Sequence, residues 1–579
     1  MSYGFHIFLI KATTDFPGAQ VATCHPPNKR TSPMIRKLSR RLPPLSSQRL
    51  VMLCTALLVA VYNLATWKAV HALVHFTGLK GLAFDLSFAV FLWAAFTLLL
   101  TLVSFRPLLK PVLVLLFLFS AAAAYFMDSY GIAIDTEMMQ NVVETNPAEA
   151  TALISPRLFA YLLLLGVVPA VLAACWPVVY RRWLPGLVNK VLVGIGCLVL
   201  VAVSVGSCYS TYAPIFRKQD ELTHFINPTN YLYASNRLVK QRFAIKENVV
   251  VQKIGEGAVL NNAAQQRPKK QLMIFVVGET ARADHFSLNG YGRETNPELA
   301  RLDVLNYTKV HSCGTSTAVS VPCMFSMFPR KDYSDKKGKT YEGLLDVLQR
   351  AGVSVLWLEN NSDCKGTCLR VPHHDIAKDQ KSAFCNGSNC LDESLLVGLQ
   401  DYVDTLKDNA IIVLHSDGSH GPEYYDRYPA DKERFTPVCH TNQLGSCTTD
   451  QLVNVYDNTI LYTDHFLAQV VDFLKHNQDK YDTSMLYISD HGESLGENGM
   501  YLHAAPYAIA PEAQIHVPMV MWFGNDTLAS EGIDRSCLAG KRDQPDLSQD
   551  YMFHSVLGLF GVQTGVYQPA LDIFHSCRH

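Results

Sequence analysis

Glu279, Asp490 and His491 carry carboxylate and imidazole groups of the kind that bind zinc. Three protein ligands leave one coordination position open, which suits catalysis better than structure. Thr317, in Cys313-Gly-Thr-Ser-Thr317, offers a hydroxyl for that position. A threonine hydroxyl is a weak nucleophile at neutral pH, and metal coordination lowers its pKa. A short loop closed between Cys313 and Cys323 would hold it still, as in-line phosphoryl chemistry requires. Read alone, Thr-Ser-Thr is an ordinary loop.

Those residues need a scaffold that brings them together. Short apolar runs recur at Leu272–Val277, Val353–Leu358, Ala410–Leu414, Met485–Ile488 and Val517–Phe523. Longer helix-like segments such as 452–475 lie between them. This pattern predicts an α/β domain with a mostly parallel sheet covered by helices on both faces. Polar residues follow four of the runs directly: Gly278-Glu279-Thr280, Glu359-Asn360-Asn361-Ser362, His415-Ser416-Asp417 and Ser489-Asp490-His491-Gly492. The carboxyl ends of such strands form the ligand crevice of open α/β sheets.

The first 210 residues are of another kind. Apolar stretches run over 50–66 with an extension toward 75, then 82–105, 108–127, 157–180 and 187–210. Most approach or exceed the ~20 residues needed to cross hydrocarbon. Core helices of a large soluble protein are the alternative, and five in succession argue against it. Charged residues make up about 9% of positions 50–210 and about 21% of the rest, a contrast that implies two solvents. The chain-wide values, 49% hydrophobic, 17% charged and a net charge of −1, describe neither part. That near-zero charge argues against nucleic acid as a partner.

Basic residues set the orientation. Arg36, Lys37, Arg40, Arg41 and Arg49 precede the first span, Arg106 and Lys110 follow the second, and Arg181, Arg182 and Lys190 follow the fourth. They share one side only if the amino terminus is cytoplasmic. Five spans then place everything after residue 210 outside the cytoplasm. Residues 1–33 lack an apolar core followed by a small-residue cleavage site. They are expected to be a non-native or disordered extension ahead of Met34. The expected organisation is thus a five-helix membrane domain over 34–210, interfacial helices and linker over 211–268, and a catalytic domain over 269–579.

Ten of the fifteen cysteines follow residue 300. Most stand in close pairs: Cys313/Cys323, Cys364/Cys368, Cys385/Cys390 and Cys439/Cys447. Zinc binding by the Cys-x3-Cys and Cys-x4-Cys pairs is the alternative. An oxidising compartment favours local disulfides.

The joint motifs are specific. Gly278-Glu-Thr-Ala-Arg-Ala-Asp-His, the segment from Cys313 through Ser326, Gly418-Ser-His-Gly-Pro, Ser489-Asp-His-Gly-Glu-Ser-Leu-Gly-Glu-Asn-Gly, Tyr501-Leu-His503 and Asn141-Val-Val-Glu-Thr-Asn-Pro-Ala-Glu149 resemble the lipid A phosphoethanolamine transferases. That family includes chromosomal and mobile colistin-resistance enzymes of the alkaline-phosphatase-like superfamily. Similarity covers nearly all of 34–579. The resemblance implies zinc held by Glu279, Thr317, Asp490 and His491, with Thr317 carrying phosphoethanolamine covalently. It implies that His420 and His503 bind substrate phosphate, or a second zinc, and move protons. It places Asn361, Ser362 and Lys365 around the donor head group, and Asn141, Thr145 and Glu149 on the membrane side of the same pocket. Read from the residues alone, the last three are only a polar loop. The implied partners are phosphatidylethanolamine as donor, lipid A as acceptor and the lipids of a bacterial inner membrane. The catalytic domain would be periplasmic, the enzyme a monomer, and the product a surface that binds polymyxins less well.

Two positions depart from the pattern: Asp417 stands where a neutral residue is frequent, and Ala504 where glycine is common. Surplus groups such as Asp284, His285, His311 and His516 read as structural. Related chemistries remain open, namely phosphoglycerol transfer or an acceptor such as core sugars. A sulfatase is disfavoured because no Cys-x-Pro-x-Arg lies around Thr317. A membrane sensor or scaffold without catalysis is a further alternative, disfavoured by the complete ligand set.

Overall fold

A computed structural model of the chain describes residues 42–73, 78–145, 147–209, 211–212, 222–246, 251–376, 382–385 and 389–579. The expectation for residues 1–33 lies outside them. Contacts divide the chain into two compact units. One comprises the residues up to Met139 together with Ile154–Asn236, and the other Gln140–Leu153 with Arg237–His579. The loop around Asn141, which the sequence reading counts with the membrane spans, therefore groups with the second unit.

The first unit holds α1 (Ser47–Val61), α2 (Leu64–Leu73), α3 (Gly78–Leu102), α4 (Leu109–Tyr130), a helical stretch Pro156–Cys175 and α5 (Trp183–Ser207). Of these, α3, α4, Pro156–Cys175 and α5 are each long and apolar enough to cross a membrane. Leu187, Val191, Leu192, Ile195, Leu198 and Val199 of α5 are all exposed, an arrangement that suits hydrocarbon as solvent. The expected first span is broken. Its helices α1 and α2 meet at 54° and make a fifth span only if counted together. The cause is Asn63, buried at the break. Its Nδ2 donates to the carbonyls of Leu58 and Asn227, at 3.0 and 2.7 Å. Thr66 Oγ1 donates to Asn63 Oδ1 at 2.8 Å and to the Phe225 carbonyl at 2.7 Å. Polar groups in an apolar unit must find such partners, and here they do so by ending a helix.

The second unit is built on the eight strands of one sheet. In chain order they are β1 (Lys270–Gly278), β2 (Leu305–His311), β3 (Ser354–Glu359), β4 (His373–Asp375), β5 (Ala410–His415), β6 (Tyr481–Ser489), β7 (His516–Phe523) and β8 (Leu547–Ser548). Their spatial order is β8-β2-β7-β6-β1-β5-β3-β4. The run β6-β1-β5-β3-β4 is parallel, and β7 lies antiparallel between β6 and β2. All five apolar runs are strands, and the fifth is the antiparallel one. The strand β2 has no counterpart among those runs. Its burial alternates along LNYTKVH, as expected near a sheet edge, and no continuous apolar run marks it. The long helix α6 (Thr449–His476) begins at a capping box of Thr448 and Gln451.

Five disulfides lie in this unit. Four are the expected close pairs; the fifth joins Cys537 and Cys577, 40 residues apart. Among the described residues of the first unit, Cys54, Cys197 and Cys208 form no disulfide.

Candidate metal centre and active site

Strand order decides which loops meet. β3, β5, β1 and β6 are neighbours, and their carboxyl ends deliver Asn361, the Ser416–His420 turn, Glu279 and the Asp490-His491 pair to one edge. Thr317 arrives from outside the sheet, as the first residue of the helix Thr317–Met324. The first N–H groups of a helix have no partner within it, so this end favours an anion.

Glu279, Asp490 and His491 each aim one ligand atom into a common space, all within 4.8 Å of one another. The three are almost fully buried. Thr317 Oγ1 lies 3.1 Å from Glu279 Oε2 and 3.4 Å from His491 Nε2. His491 Nδ1 donates to the Gly492 carbonyl at 2.9 Å, which leaves the Nε2 lone pair for the cluster. Asp490 Oδ1 accepts from the N–H groups of Thr280 and His491 at 3.2 and 2.7 Å. Glu279 Oε1 and Asp490 Oδ2 are buried with no hydrogen-bond donor among the described residues. Two such oxygens, 3.4 and 3.3 Å from His491 Nε2, fit a divalent cation. The other three-ligand group, Cys313, Cys323 and Asp550, is explained by the disulfide between its cysteines.

Electrostatics agree. Burial, then the Asp490 carboxylate, pushes the Glu279 carboxyl up to about 8. Burial pushes Asp490 up to about 7 and, with His503, holds the His491 imidazole well below its usual range. Without a cation Glu279 would favour its protonated form at neutral pH, and a bound cation would favour the charged carboxylates.

His503 packs against His491, ring centres 4.4 Å apart, and His420 stands 5.4 Å from His503. Burial opposes charge on His503, but Glu493, then Glu279 and Asp490, raise it to about 9. Its Nδ1 donates to Glu493 Oε2 at 3.0 Å, and Tyr424 donates to Glu493 Oε1 at 2.8 Å. Asn361, expected at the donor head group, commits its Nδ2 to Glu279 Oε2 at 2.7 Å and to the Ser416 carbonyl at 3.0 Å. Lys365 is nearly buried, between Cys364 and Cys368, and donates to Ser362 Oγ at 2.7 Å.

Asn141 and Thr145 sit one helical turn apart, with Thr145 Oγ1 donating to the Asn141 carbonyl at 2.7 Å. Their segment is fastened within its unit by Gln140 to Asp335 at 3.0 Å and by Glu144 to Arg242 and Lys339 at 3.2 and 3.4 Å. The side chain of Glu149 lies outside the described residues. The surplus groups are satisfied: Asp284 pairs with Arg282, and His285 with buried Asp457.

Sequence reasoning missed the supports. Gln549 donates to the carbonyls of Ser489 and Asp490 and accepts from Cys313 N, joining the ligand loop to the Thr317 loop. Glu493 sits inside the motif that begins at Ser489, yet its role needs the fold. Nothing local marks Gln549.

The sulfatase family matches residues 271–562, and the phosphoethanolamine transferase EptA/EptB family matches residues 92–243. The phosphoethanolamine transferase EptA of Escherichia coli K12 is 42% identical over 551 residues, 94% of this chain and 99% of that protein. The chain belongs to the EptA family of phosphoethanolamine transferases. The phosphatidylethanolamine transferase Mcr-1 of E. coli is 43% identical, covering 77% of this chain and 84% of its own. The integral membrane lipooligosaccharide phosphoethanolamine transferase EptA from Neisseria meningitidis superposes with a TM-score of 0.88 at 38% identity, over 93% of this chain and 100% of that one.

Both departures from the EptA-family pattern acquire a physical meaning. Asp417 pairs with Arg427. Ala504 has φ +67, a left-handed conformation that glycine adopts without a Cβ penalty. Ala504→Gly should therefore stabilise the protein by about 0.5–1 kcal/mol, after the greater unfolded-state freedom of glycine is counted. A lower melting temperature for the glycine variant would contradict this.

Proposed function

We propose that this enzyme moves phosphoethanolamine from phosphatidylethanolamine to a phosphate of lipid A through a covalent phosphothreonine at Thr317. The carrying observation is the Thr317 hydroxyl, at a helix amino terminus, 3.1 Å from a glutamate in a buried cluster in which two carboxylate oxygens accept no hydrogen bond and face His491 Nε2. Zinc, when bound by Glu279, Thr317, Asp490 and His491, supplies Lewis acidity that makes the hydroxyl a better nucleophile and offsets phosphoryl charge.

The chain's own groups do the rest. Thr317 Oγ1 gives its proton to the Glu279 carboxylate 3.1 Å away and forms a bond to phosphorus as the bond from phosphorus to the diacylglycerol oxygen breaks. His503, held by Glu493 in its charged form, protonates that oxygen. Helix N–H groups at Thr317 face the phosphoryl oxygens. In the second half-reaction a lipid A phosphate oxygen attacks the phosphothreonine, and the bond from phosphorus to Thr317 Oγ1 breaks. Oγ1 takes back the proton held by Glu279, and His503 recovers its own from the acceptor phosphate or water. His420 orients the acceptor phosphate. Ser362 and Lys365, with Asn141, Thr145 and Glu149 from the membrane side, surround the ethanolamine head group, while Asn361 steadies Glu279.

The setting is a bacterial inner membrane with the catalytic unit in the periplasm, the enzyme acting as a monomer. The five disulfides of the described residues all lie in the second unit, which supports that orientation. Masking a lipid A phosphate charge would weaken polymyxin binding and raise colistin resistance. Expression in a polymyxin-sensitive Gram-negative strain should add phosphoethanolamine to lipid A, read by mass spectrometry, and raise the inhibitory colistin concentration. Unmodified lipid A beside a modified core sugar would select the other acceptor.

A further inference from the structure

Asp392 is an acid that the proposed reaction leaves without a role. It opens the short turn Asp392–Leu396, just beyond the Cys385–Cys390 disulfide, and is 5% exposed. A carboxylate buried to this extent is costly unless donors surround it. Its Oδ1 accepts from Asn360 Nδ2 and from Asp417 N, both at 2.8 Å, and its Oδ2 accepts from Gly418 N at 3.0 Å. The two backbone donors belong to the turn that leads into His420.

That turn is held from other sides too. Arg427 pairs with Asp417, and its Nε donates to the His420 carbonyl at 2.9 Å. Ser419 N donates to the Glu279 carbonyl at 3.0 Å. Gly418, at φ +50, packs so closely that a Cβ there would fall 2.7 Å from the Glu279 carbonyl oxygen. The turn therefore has little room to move, and Asp392 is the group that accepts its two leading N–H bonds. His420 Nδ1 has no hydrogen-bond partner among the described residues, so the imidazole is placed by this backbone and by its packing against His503.

We propose that Asp392 is a positioning residue for His420. It holds the Asp417-Gly418 turn so that His420 stays beside His503 and meets the acceptor phosphate in register. This rests on the transfer reaction proposed above. Asparagine at 392 keeps the size of the side chain but turns one acceptor oxygen into a donor. An N–H would then face an N–H, either at Gly418 or at the Asn360–Asp417 pair.

The test is a double-mutant cycle on the full-length, zinc-loaded enzyme, with phosphatidylethanolamine and lipid A in mixed micelles. Asp392→Asn should lower kcat about ten- to a hundredfold with KM changed less than about twofold, since misplacement rather than lost binding is the defect. In a His420→Ala background the same substitution should cost nothing further. An equal loss in both backgrounds, or an unchanged kcat, overturns the proposal. If Asp392→Asn does not fold, Asn360→Ala carries the same cycle. It removes one donor, and about a fivefold loss is expected in the wild-type background alone. A wild-type enzyme without transfer activity overturns the parent reaction. An active wild type with uncoupled variants overturns only the role of Asp392.

Discussion

Thr317→Ala should abolish transfer, with a loss of at least about 10⁴-fold in kcat. The magnitude follows from the kind of group removed. The hydroxyl is the atom that forms the bond to phosphorus, and no other hydroxyl is described beside both Glu279 Oε2 and His491 Nε2. Glu279, Asp490 and His491 remain, so the fold and most of the cation affinity should persist. Thr317→Ser keeps an oxygen at the first helical position and should retain measurable activity. Two readouts decide the matter. Lipid A mass spectrometry reports the product, and the peptide mass around residue 317 reports the phosphoethanolamine adduct. Cells with the alanine variant that still modify lipid A near the wild-type rate would remove Thr317 from the role of carrier.

Glu279→Gln should empty the centre of metal. Loss even of an outer support typically costs ten- to a hundredfold in metal affinity, so loss of a charged ligand should exceed about a hundredfold. Zinc per protein should fall well below that of wild type, and transfer with it. The metal-free proteins differ in a second way. Burial, then Asp490, raises the Glu279 carboxyl to about 8 in the folded chain, above its ordinary value of 4.5. Between those values the folded state binds more protons than the unfolded state, so stability falls as pH rises. Metal-stripped wild type should therefore lose melting temperature from pH 5 to pH 8, and stripped Glu279→Gln should lose less. Added zinc should restore wild type alone. Equal slopes would mean that Glu279 is not the group that titrates.

Much of this centre is legible because strand ends are local in sequence. Glu279 follows an apolar run by two residues, Asp490 by two, and Asn361 by three. An apolar run with acids directly after it marks both strand and site. Close cysteine pairs are legible for the same reason, whereas Cys537 and Cys577, 40 residues apart, carry no local sign of their pairing. What escapes depends on contacts between distant segments. Asp392 meets Gly418 across 26 positions, Gln549 meets Asp490 across 59, and their residue types are ordinary. Asn361 lies beside Glu279, and the bond from its amide to that carboxylate spans 82 positions, which no local pattern reveals. The break at Asn63 is visible as polarity, yet its angle is set by partners in a segment some 160 residues away.

The grouping of Gln140–Leu153 with the catalytic unit bears on how inhibitors are sought. A soluble fragment cut after the last membrane helix lacks this segment. It loses Gln140, which bonds Asp335, Glu144, which bonds Lys339, and the Ala152 carbonyl to which Asn442 donates. Compounds selected on such a fragment meet a surface that the whole enzyme covers, and compounds that recognise the covering segment are never found. Screening on the intact chain would change which molecules emerge, before any chemistry at the metal centre is considered.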